Sequence, residues 1–400
     1  SPVPAGFLMD WLGRKRTCLY FSVLPLFSWL LILFADSAVQ LYIARYAAGL
    51  WIGITNTIMP IYVGELGETK LRNSLTTINN GLFNFGVLFA YVIGPYVSYQ
   101  MLATACEVLT VVYIITFIPM PESPHYFMKH GKRQEALDAL SWFRKGQTME
   151  SIESELNRIE VAIEDQKLQK GTPKDIFFDR GNRKAFIISV TYAIFKRTSG
   201  SGVMQAYISI TLPALTMGFL DPDNCVIIVG FISFLSSIAS TALSAKYRRH
   251  VLLTISCAGC GLTTGLIMAW FYLHHNTSVN VNRYSDVIFW SMALYYAFFN
   301  IGLGPIGTSI KGEVFSANVK GLSSSLTTLT VAITSFIFNK YYLIIAQSAG
   351  MYVNYLIYSV TCVVTIVFTW TYVPDMHNRT LEEIRLMMKG EKIPLKNQVI

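Results

Sequence analysis

The stretch Lys184–Met217, KAFIISVTYAIFKRTSGSGVMQAYISITLPALTM, decides how the rest of the chain is read. It is one apolar run, longer than the about 20 residues needed to cross a bilayer's hydrocarbon core. A cation pair, Lys196-Arg197, sits inside it, with Gly200 and Gly202 just beyond. At about 1.5 Å per residue the two cations lie about 18–20 Å past Lys184, a little beyond mid-membrane. An ionisable residue at that depth is costly, so by default it marks a functional site.

The composition supports a membrane reading. Of 400 residues, 52% are hydrophobic and 14% charged, against about 25% charged in an ordinary soluble domain. Twenty-five Phe and 22 Tyr suit aromatic belts at the two membrane interfaces. The expected class is an all-α polytopic membrane protein, and a soluble enzyme is excluded. The net charge of +8 is assigned to basic loops rather than to nucleic-acid binding. Cys257 and Cys260 have C-x-x-C spacing but lie in an apolar run with no second ligand pair, so they read as small packing residues. No motif indicates a catalytic group, a metal or a cofactor.

Spanning runs are expected at 17–34, 38–63, 74–98, 101–120, 184–217, 225–243, 251–273, 287–310, 321–346 and 351–373. A shorter apolar piece, Ser1–Met9, comes first, and the chain reads as starting within a spanning helix. Placing Arg14-Lys15-Arg16 on the cytoplasmic side and alternating puts 27 of the 32 Lys and Arg inside. Asn276-Thr277-Ser278 then lies in an outer loop as a glycosylation sequon. Residues 121–183 form a polar linker whose apolar residues recur at helical spacing over 134–143 and 149–168. The expected domains are 1–120 (first membrane half), 121–183 (cytoplasmic linker), 184–373 (second membrane half) and 374–400 (cytoplasmic tail).

The halves repeat one another. Arg14 answers to Arg248 at an offset of 234 residues, Glu65 to Glu313 at 248, and Glu122 to Asp375 at 253. Glu65…Arg72 and Glu313…Lys320 are both spaced i, i+7, which stacks the two charges about two turns apart on one helix face. Internal repeats of this kind build transporters with two pseudo-symmetric halves. Positive-inside anchoring explains isolated cations, but not acids at matching places. The cluster Asp10, Arg14, Lys15, Glu65, Arg72, Glu122, Arg248, Arg249, Glu313, Lys320 and Asp375 therefore reads as a cytoplasmic gate.

These residues resemble the sugar porter family of the major facilitator superfamily. Gly6…Asp10…Gly13-Arg14-Lys15 resembles its G-x-L-x-D-x-x-G-R-[RK] motif. Arg45…Gly49…Gly53…Pro60…Gly64-Glu65…Arg72 resembles its fourth-helix signature, and Pro121-Glu122-Ser123-Pro124-His125 its P-E-S-P-R. Gly304-Pro305-Ile306…Glu313-Val314-Phe315 resembles the tenth-helix motif, and Val373-Pro374-Asp375…Ile384 the closing one. The set is most similar to animal hexose carriers and insect trehalose carriers. The resemblance implies twelve helices in two six-helix halves, with the first helix and part of the second absent from this chain. It further implies alternating access, no covalent chemistry, a lipid bilayer and a small polar solute as partners, and residence in the plasma membrane.

It also implies solute-contacting positions, several of which depart from the family. The seventh-helix Gln pair falls on Lys196-Arg197 and the following Asn on Gly202. The tenth-helix Trp falls on Thr308, the polar position of that helix on Asn300, and the fifth-helix Gln on Asn80. Asn79 and Asn84 are further polar residues on the fifth helix, as solute contacts or helix–helix bonds. Sugar hydroxyls suit groups that both donate and accept, whereas Lys and Arg only donate and Arg fits carboxylates. Lys196 and Arg197 thus read either as cavity-lining groups for a polar or anionic solute, or as cations neutralised by Glu107. In proton-coupled members an Arg at the place of Arg45 pairs with an Asp on the first helix, which makes Arg45 a candidate coupling residue and protons a candidate partner. Sugar transport is the expected function. Carriage of an organic anion or other polar solute, or a non-transporting sensor, are the alternatives.

Overall fold

The computed structural model describes residues 1–67, 72–168, 173–211, 221–277, 281, 284–306, 320–374 and 387. The described residues are helical, with no strand among them. In chain order the helices are α1 (Pro2–Leu12), α2 (Arg14–Phe21), α3 (Val23–Leu33), α4 (Ala38–Leu66), α5 (Arg72–Ile93) and α6 (Tyr99–Phe117). The linker supplies α7 (Pro124–Lys129), α8 (Arg133–Phe143), α9 (Met149–Leu168) and α10 (Pro173–Phe178). Then come α11 (Arg180–Thr198), α12 (Ser201–Thr211), α13 (Pro222–Lys246), α14 (Arg249–Asn276), α15 (Asp286–Ile301), α16 (Lys320–Ser348) and α17 (Met351–Tyr372).

Local chemistry sets several helix starts. At α4 the Ser37 hydroxyl accepts from the Gln40 N–H (3.4 Å) while Gln40 Oε1 accepts from the Ser37 N–H (3.2 Å), a reciprocal capping box. Ser98 caps α6 through the Met101 N–H at 3.3 Å, and Asp179 caps α11 through the Asn182 N–H at 2.9 Å. Among the described residues, seven helical segments are long and apolar enough to cross a membrane: 14–33, 38–66, 99–117, 223–240, 249–276, 322–348 and 351–372. Large apolar side chains such as Ile115, Val363, Val367 and Trp370 face outward, 58–62% exposed, as lipid-facing residues do.

The chain divides into two compact units. The first holds Ser1–Thr76, Ile93–Thr172 and Ser324–Leu326. Its core is Ala5, Met9, Cys18, Ile54, Ile58, Tyr62 and Phe117. A separate cluster under the linker joins Met128, Ala136 and Leu140 to Ile152, Leu156, Ile159 and Ile163. These are the apolar positions of the helical periodicity over 134–143 and 149–168, now turned toward each other.

The second unit holds Thr77–Val92, Pro173–Ser323 and Thr327–Ile400. Its core is rich in tyrosine: Tyr192, Tyr295, Tyr296, Tyr355 and Tyr358 are 7% exposed or less. Cys257 and Cys260 are fully buried, free thiols in the same core.

Within the run Lys184–Met217 the helix is interrupted at the glycines after the cation pair. It breaks into α11 and α12 at Ser199-Gly200, where Gly200 has φ +95°. A Cβ at Gly200 would lie 2.5 Å from the Tyr358 ring. Glycine therefore meets both a left-handed backbone and a close aromatic neighbour there.

Candidate functional site

The first unit gathers one set of predicted charges at the turn between α1 and α2. Gly13 makes that turn at φ +102°, and a Cβ there would overlap the Glu122 carboxylate. Glu122 is 6% exposed and accepts from four backbone N–H groups. Oε1 takes those of Arg14 (2.9 Å), Lys15 (3.0 Å) and Ser123 (3.0 Å), and Oε2 takes that of Arg16 (3.2 Å). The first turn of a helix leaves its N–H groups without partners and carries partial positive charge, so a carboxylate from elsewhere in the chain satisfies both.

Arg14 is buried between acids. Its Nη2 donates to Glu65 Oε1 at 3.0 Å, and its Nη1 lies 3.3 Å from Asp10 Oδ1. The guanidinium also sits 5.9 Å from the Tyr126 ring centroid. The second Glu65 oxygen accepts from the Ser123 hydroxyl. Lys15 Nζ donates to the Ile118 carbonyl at 2.7 Å, and Lys129 pairs with Asp10 at 2.9 Å. Tyr62 donates to the Pro121 carbonyl (2.6 Å), and Tyr126 to the Trp11 carbonyl (3.0 Å). The structure thus brings Asp10, Arg14, Lys15, Glu65 and Glu122 together, and adds Ser123, Tyr126 and Lys129.

The linker grips the same helix end. Arg144, 6% exposed, holds both Glu155 oxygens (Nε 3.0 Å, Nη2 2.8 Å) and donates from Nη1 to the Leu66 carbonyl at the end of α4 (3.1 Å). Nothing distinguished Arg144 from the other linker cations in the sequence. The expected i, i+4 rhythm of α9 does place Glu155 on a helix, but not against a partner on α8.

The corresponding turn of the second unit is built differently. Tyr247, which answers to Gly13 at the same offset of 234 that relates Arg14 to Arg248, takes φ −110°, and Arg248 is the extended residue before α14. A residue with a Cβ avoids the φ +102° geometry that Gly13 uses. Arg248 is exposed and Arg249 partly buried. The side chains of Arg72, Lys320 and Asn80, and residues 308, 313 and 375 altogether, lie outside what is described.

The second unit carries a polar line through its core. Asn300 Nδ2 donates to the Ser233 carbonyl (3.1 Å) and to Ser233 Oγ (2.9 Å), and Ser233 Oγ donates to Asn84 Oδ1 (3.2 Å). Asn300 and Asn84 are 4% and 8% exposed. Tyr91 on α5 donates to the Gln205 carbonyl at 3.1 Å. The Asn300 amide is therefore spent on a helix–helix bond to α13. Ser233, its partner, carried no sequence signal beyond a hydroxyl in an apolar run.

The cation pair is divided in its roles. Lys196 Nζ donates to the Gly304 carbonyl at 2.7 Å. The Lys196 carbonyl in turn accepts from Ser199 and Ser201, each at 3.0 Å, which ties the α11–α12 break to its own cation. The Tyr295 hydroxyl donates to the Ser199 carbonyl at 3.0 Å. Arg197 instead lies beside Gly202, whose Cβ position is 3.1 Å from Nη1, and its buried Nε has no hydrogen-bond partner. Glu107, the counter-charge considered above, likewise has a buried Oε2 without a partner. The ion pairs Arg14–Asp10, Arg14–Glu65, Lys129–Asp10 and Arg144–Glu155 lie in the first unit. Arg45 is exposed on α4, and Asn276 is exposed at the end of α14.

The family profile described as "Sugar (and other) transporter" matches residues 3–388. The chain belongs to that family. It is an all-α integral membrane protein with the major facilitator fold. It is 28% identical to the facilitated trehalose transporter Tret1 of Polypedilum vanderplanki over 97% of this chain and 76% of that protein. It is 26% identical to the Bombyx mori Tret1 over 99% of this chain and 77% of that protein. Against Tret1 of Drosophila mojavensis it is 27% identical but spans only 45% of that longer protein. Among solved structures it is similar to the proton:xylose symporter XylE bound to 6-bromo-6-deoxy-D-glucose, with a TM-score of 0.78, 19% identity, and coverage of 97% and 86% of the two chains. It is also similar to the inward-open XylE of E. coli, with a TM-score of 0.77, 18% identity, and coverage of 96% and 85%.

Proposed function

We propose that this member of the family moves a polar solute of the sugar class across a membrane by alternating access. The observation that carries the reading is the family match across residues 3–388, seen beside the hydrogen-bonded charge cluster at Gly13–Arg16, Glu65 and Glu122. In this reading the cluster lies on the cytoplasmic side, with the linker and the tail. It holds the first half closed to the cytoplasm while intact and opens when Glu65 and Glu122 release α2. Arg72, Arg248, Arg249, Glu313, Lys320 and Asp375 complete it.

The solute meets neutral groups that donate and accept. Asn80, Asn300 and Thr308 are the candidate side-chain contacts, Asn300 through its Oδ1 because its Nδ2 is bonded to Ser233, and Gly202 is the candidate backbone contact. Trehalose, from the insect relatives, and a pentose or hexose, from the XylE structures, are the cargoes to try first. Arg45 is the candidate for proton coupling, and Asn276 for glycosylation on the outer face.

A second reading, carriage of an anion, is favoured by one observation. Arg197 keeps a buried guanidinium nitrogen unpartnered beside Gly202, and a carboxylate would satisfy it bidentately. Lys196 does not share that role, because its ammonium is committed to Gly304.

Radiolabelled uptake in cells lacking endogenous sugar carriers tests both. Trehalose, xylose or glucose uptake supports the first reading. Uptake confined to organic anions and lost in Arg197→Gln replaces it with the second. Solute binding with no flux in either assay would make the protein a sensor and overturn both.

A further inference from the structure

In the second unit, the corner between α10 and α11 carries the most exposed large apolar side chain among the described residues, Phe178 at 82%. Its neighbour Phe177 is 53% exposed. The backbone beneath them is fixed. Ile176 is fully buried, and the Phe177 ring meets Phe186 of α11 edge-on, with centroids 5.7 Å apart. α10 is thus folded against α11, and Phe178 is presented outward from a packed support. An exposed aromatic pair on a fixed backbone marks a surface that something apolar covers.

α11 supplies the polar half of the same surface. Arg180, Arg183 and Lys184 are exposed, as are Ile187 (51%) and Ile194 (36%). These positions are spaced i, i+3, i+4, i+7 and i+14, so they form one stripe along the helix. The opposite stripe, through Ala185, Ile188 and Tyr192, is buried. The outward stripe is therefore cationic at its start and apolar beyond, from Ile187 about 10 Å along the axis to Ile194 about 21 Å along it. Charge followed by hydrocarbon on one face matches the order of a bilayer's headgroup layer and acyl core.

The cations are not offset locally. Among the described residues, none of the three has an ion-pair partner. The first turn of α11 holds no acid, and the Asp179 carboxylate accepts from the Asn182 N–H at 2.9 Å as the helix cap. Cations at a helix N-terminus also oppose the helix dipole. The three charges stand where the fold gains least from them, and an external anion supplies what this end of the helix lacks.

We propose that this corner is a site for an anionic phospholipid. Arg180, Arg183 and Lys184 surround its headgroup, and Phe177 and Phe178 sit at the level of its upper acyl chains. An open, shallow surface suits such a ligand, because a lipid is held from one side while its neighbours in the layer hold the other. Arg180 is about 24 Å along the helix from Lys196, so the site is separate from the cation pair in the core. Assigning it to the cytoplasmic leaflet rests on the orientation proposed above; the headgroup chemistry does not.

Native mass spectrometry of the detergent-purified full chain, titrated with phosphatidylserine and with phosphatidylcholine, tests the site. Phosphatidylserine is expected to be retained in preference. Arg183→Gln should lower its retention roughly fivefold, the factor of about 1 kcal/mol per cation at an anionic surface. The triple substitution Arg180→Gln, Arg183→Gln and Lys184→Gln should abolish the preference, and Phe178→Ser should weaken both lipids alike. Lys132→Gln, Lys145→Gln and Arg158→Gln together remove as many exposed charges from the linker, and should leave the preference in place. Equal retention of the two lipids by the unaltered protein would overturn the proposal. So would an equal loss of preference in the linker variant, because net charge alone would then explain it. Retention of inorganic phosphate with the same dependence on Arg183 would overturn it in favour of a soluble anion. A dimer dispersed by Phe178→Ser, with lipid retention unchanged, would overturn it in favour of a second copy of the chain. Retention is read without flux, so the site holds or fails independently of sugar uptake.

Discussion

Glu122 does at one residue what a capping side chain does for a single N–H, but for the whole first turn of α2. Its four backbone donors come from Arg14, Lys15, Arg16 and Ser123. Glu122→Gln keeps one acceptor oxygen and presents an NH₂ where the second was, so it loses charge and gains a clash of donors. We expect a loss of about 1–3 kcal/mol, seen as a lower midpoint in detergent unfolding; an unchanged midpoint would show that the carboxylate charge is dispensable. Gly13→Ala forces φ +102° on a residue with a Cβ and crowds the same carboxylate. It should cost about 1–3 kcal/mol in the same assay, and Ala tolerated without loss would mean the turn can rebuild.

At this scale the sequence was partly legible. Pro121-Glu122-Ser123-Pro124 and Gly13-Arg14 point to their positions through a family motif. Which atoms they would use was not legible, because a motif records residue types and not acceptors. Glu122 could equally have met the Arg14 side chain, and it meets the backbone instead. Lys196 shows the same limit: spacing placed it deep in a span, and the fold brings its ammonium to the Gly304 carbonyl.

Among elements, the α11–α12 break falls at the glycines that follow the cation pair. Residues 196–202, KRTSGSG, interrupt the apolar run, but a span-length count alone still joins the two helices. The break is recorded only in one glycine and in the tyrosines packed around it, Tyr295 and Tyr358. Gly200→Ala should therefore slow the transport cycle more than it lowers solute affinity, since it stiffens a joint rather than removing a contact. Proteoliposome uptake would separate the two through maximal rate and half-saturation; a change confined to half-saturation would argue against a joint.

The linker is the other element-level result. Its helices follow from the 134–143 and 149–168 periodicities, and their mutual packing follows from the apolar faces. Its tie to α4 through Arg144 does not, because a basic residue in a basic segment carries no address. Arg144→Ala and Glu155→Ala should each destabilise the first unit, and the double substitution should cost less than their sum by about 0.5–3 kcal/mol. Strict additivity in that cycle would mean that the pair seen at 2.8 and 3.0 Å is energetically idle.

At the scale of the whole molecule, the described buried charges are distributed unequally between the units. The first balances its buried charges within itself at the Gly13 turn and in the linker, whereas the second builds its interior from Tyr, Ser and Asn. Asn84, Ser233 and Asn300 join α5, α13 and α15 by neutral hydrogen bonds. Asn84→Ala should lower sugar uptake roughly tenfold, as loss of about 1–1.5 kcal/mol of buried amide contact would, with surface expression measured alongside. Uptake at the unaltered level would remove this line from the transport path. The two-fold repeat was legible as matched charges, but the second-unit turn departs from it at Tyr247, where the glycine geometry is lost.

The corner around Gly13 also holds two attachments of contrasting sensitivity to electrolyte. Asp10 and Lys129 meet with 44% and 46% of their side chains exposed, and mobile ions at physiological ionic strength screen such a pair over a Debye length of about 8 Å. Glu122 is sheltered and grips peptide N–H groups, which no dissolved cation can replace. Raising salt thus loosens the rim of this corner while its centre keeps hold, so ionic strength acts on one attachment and passes the other by.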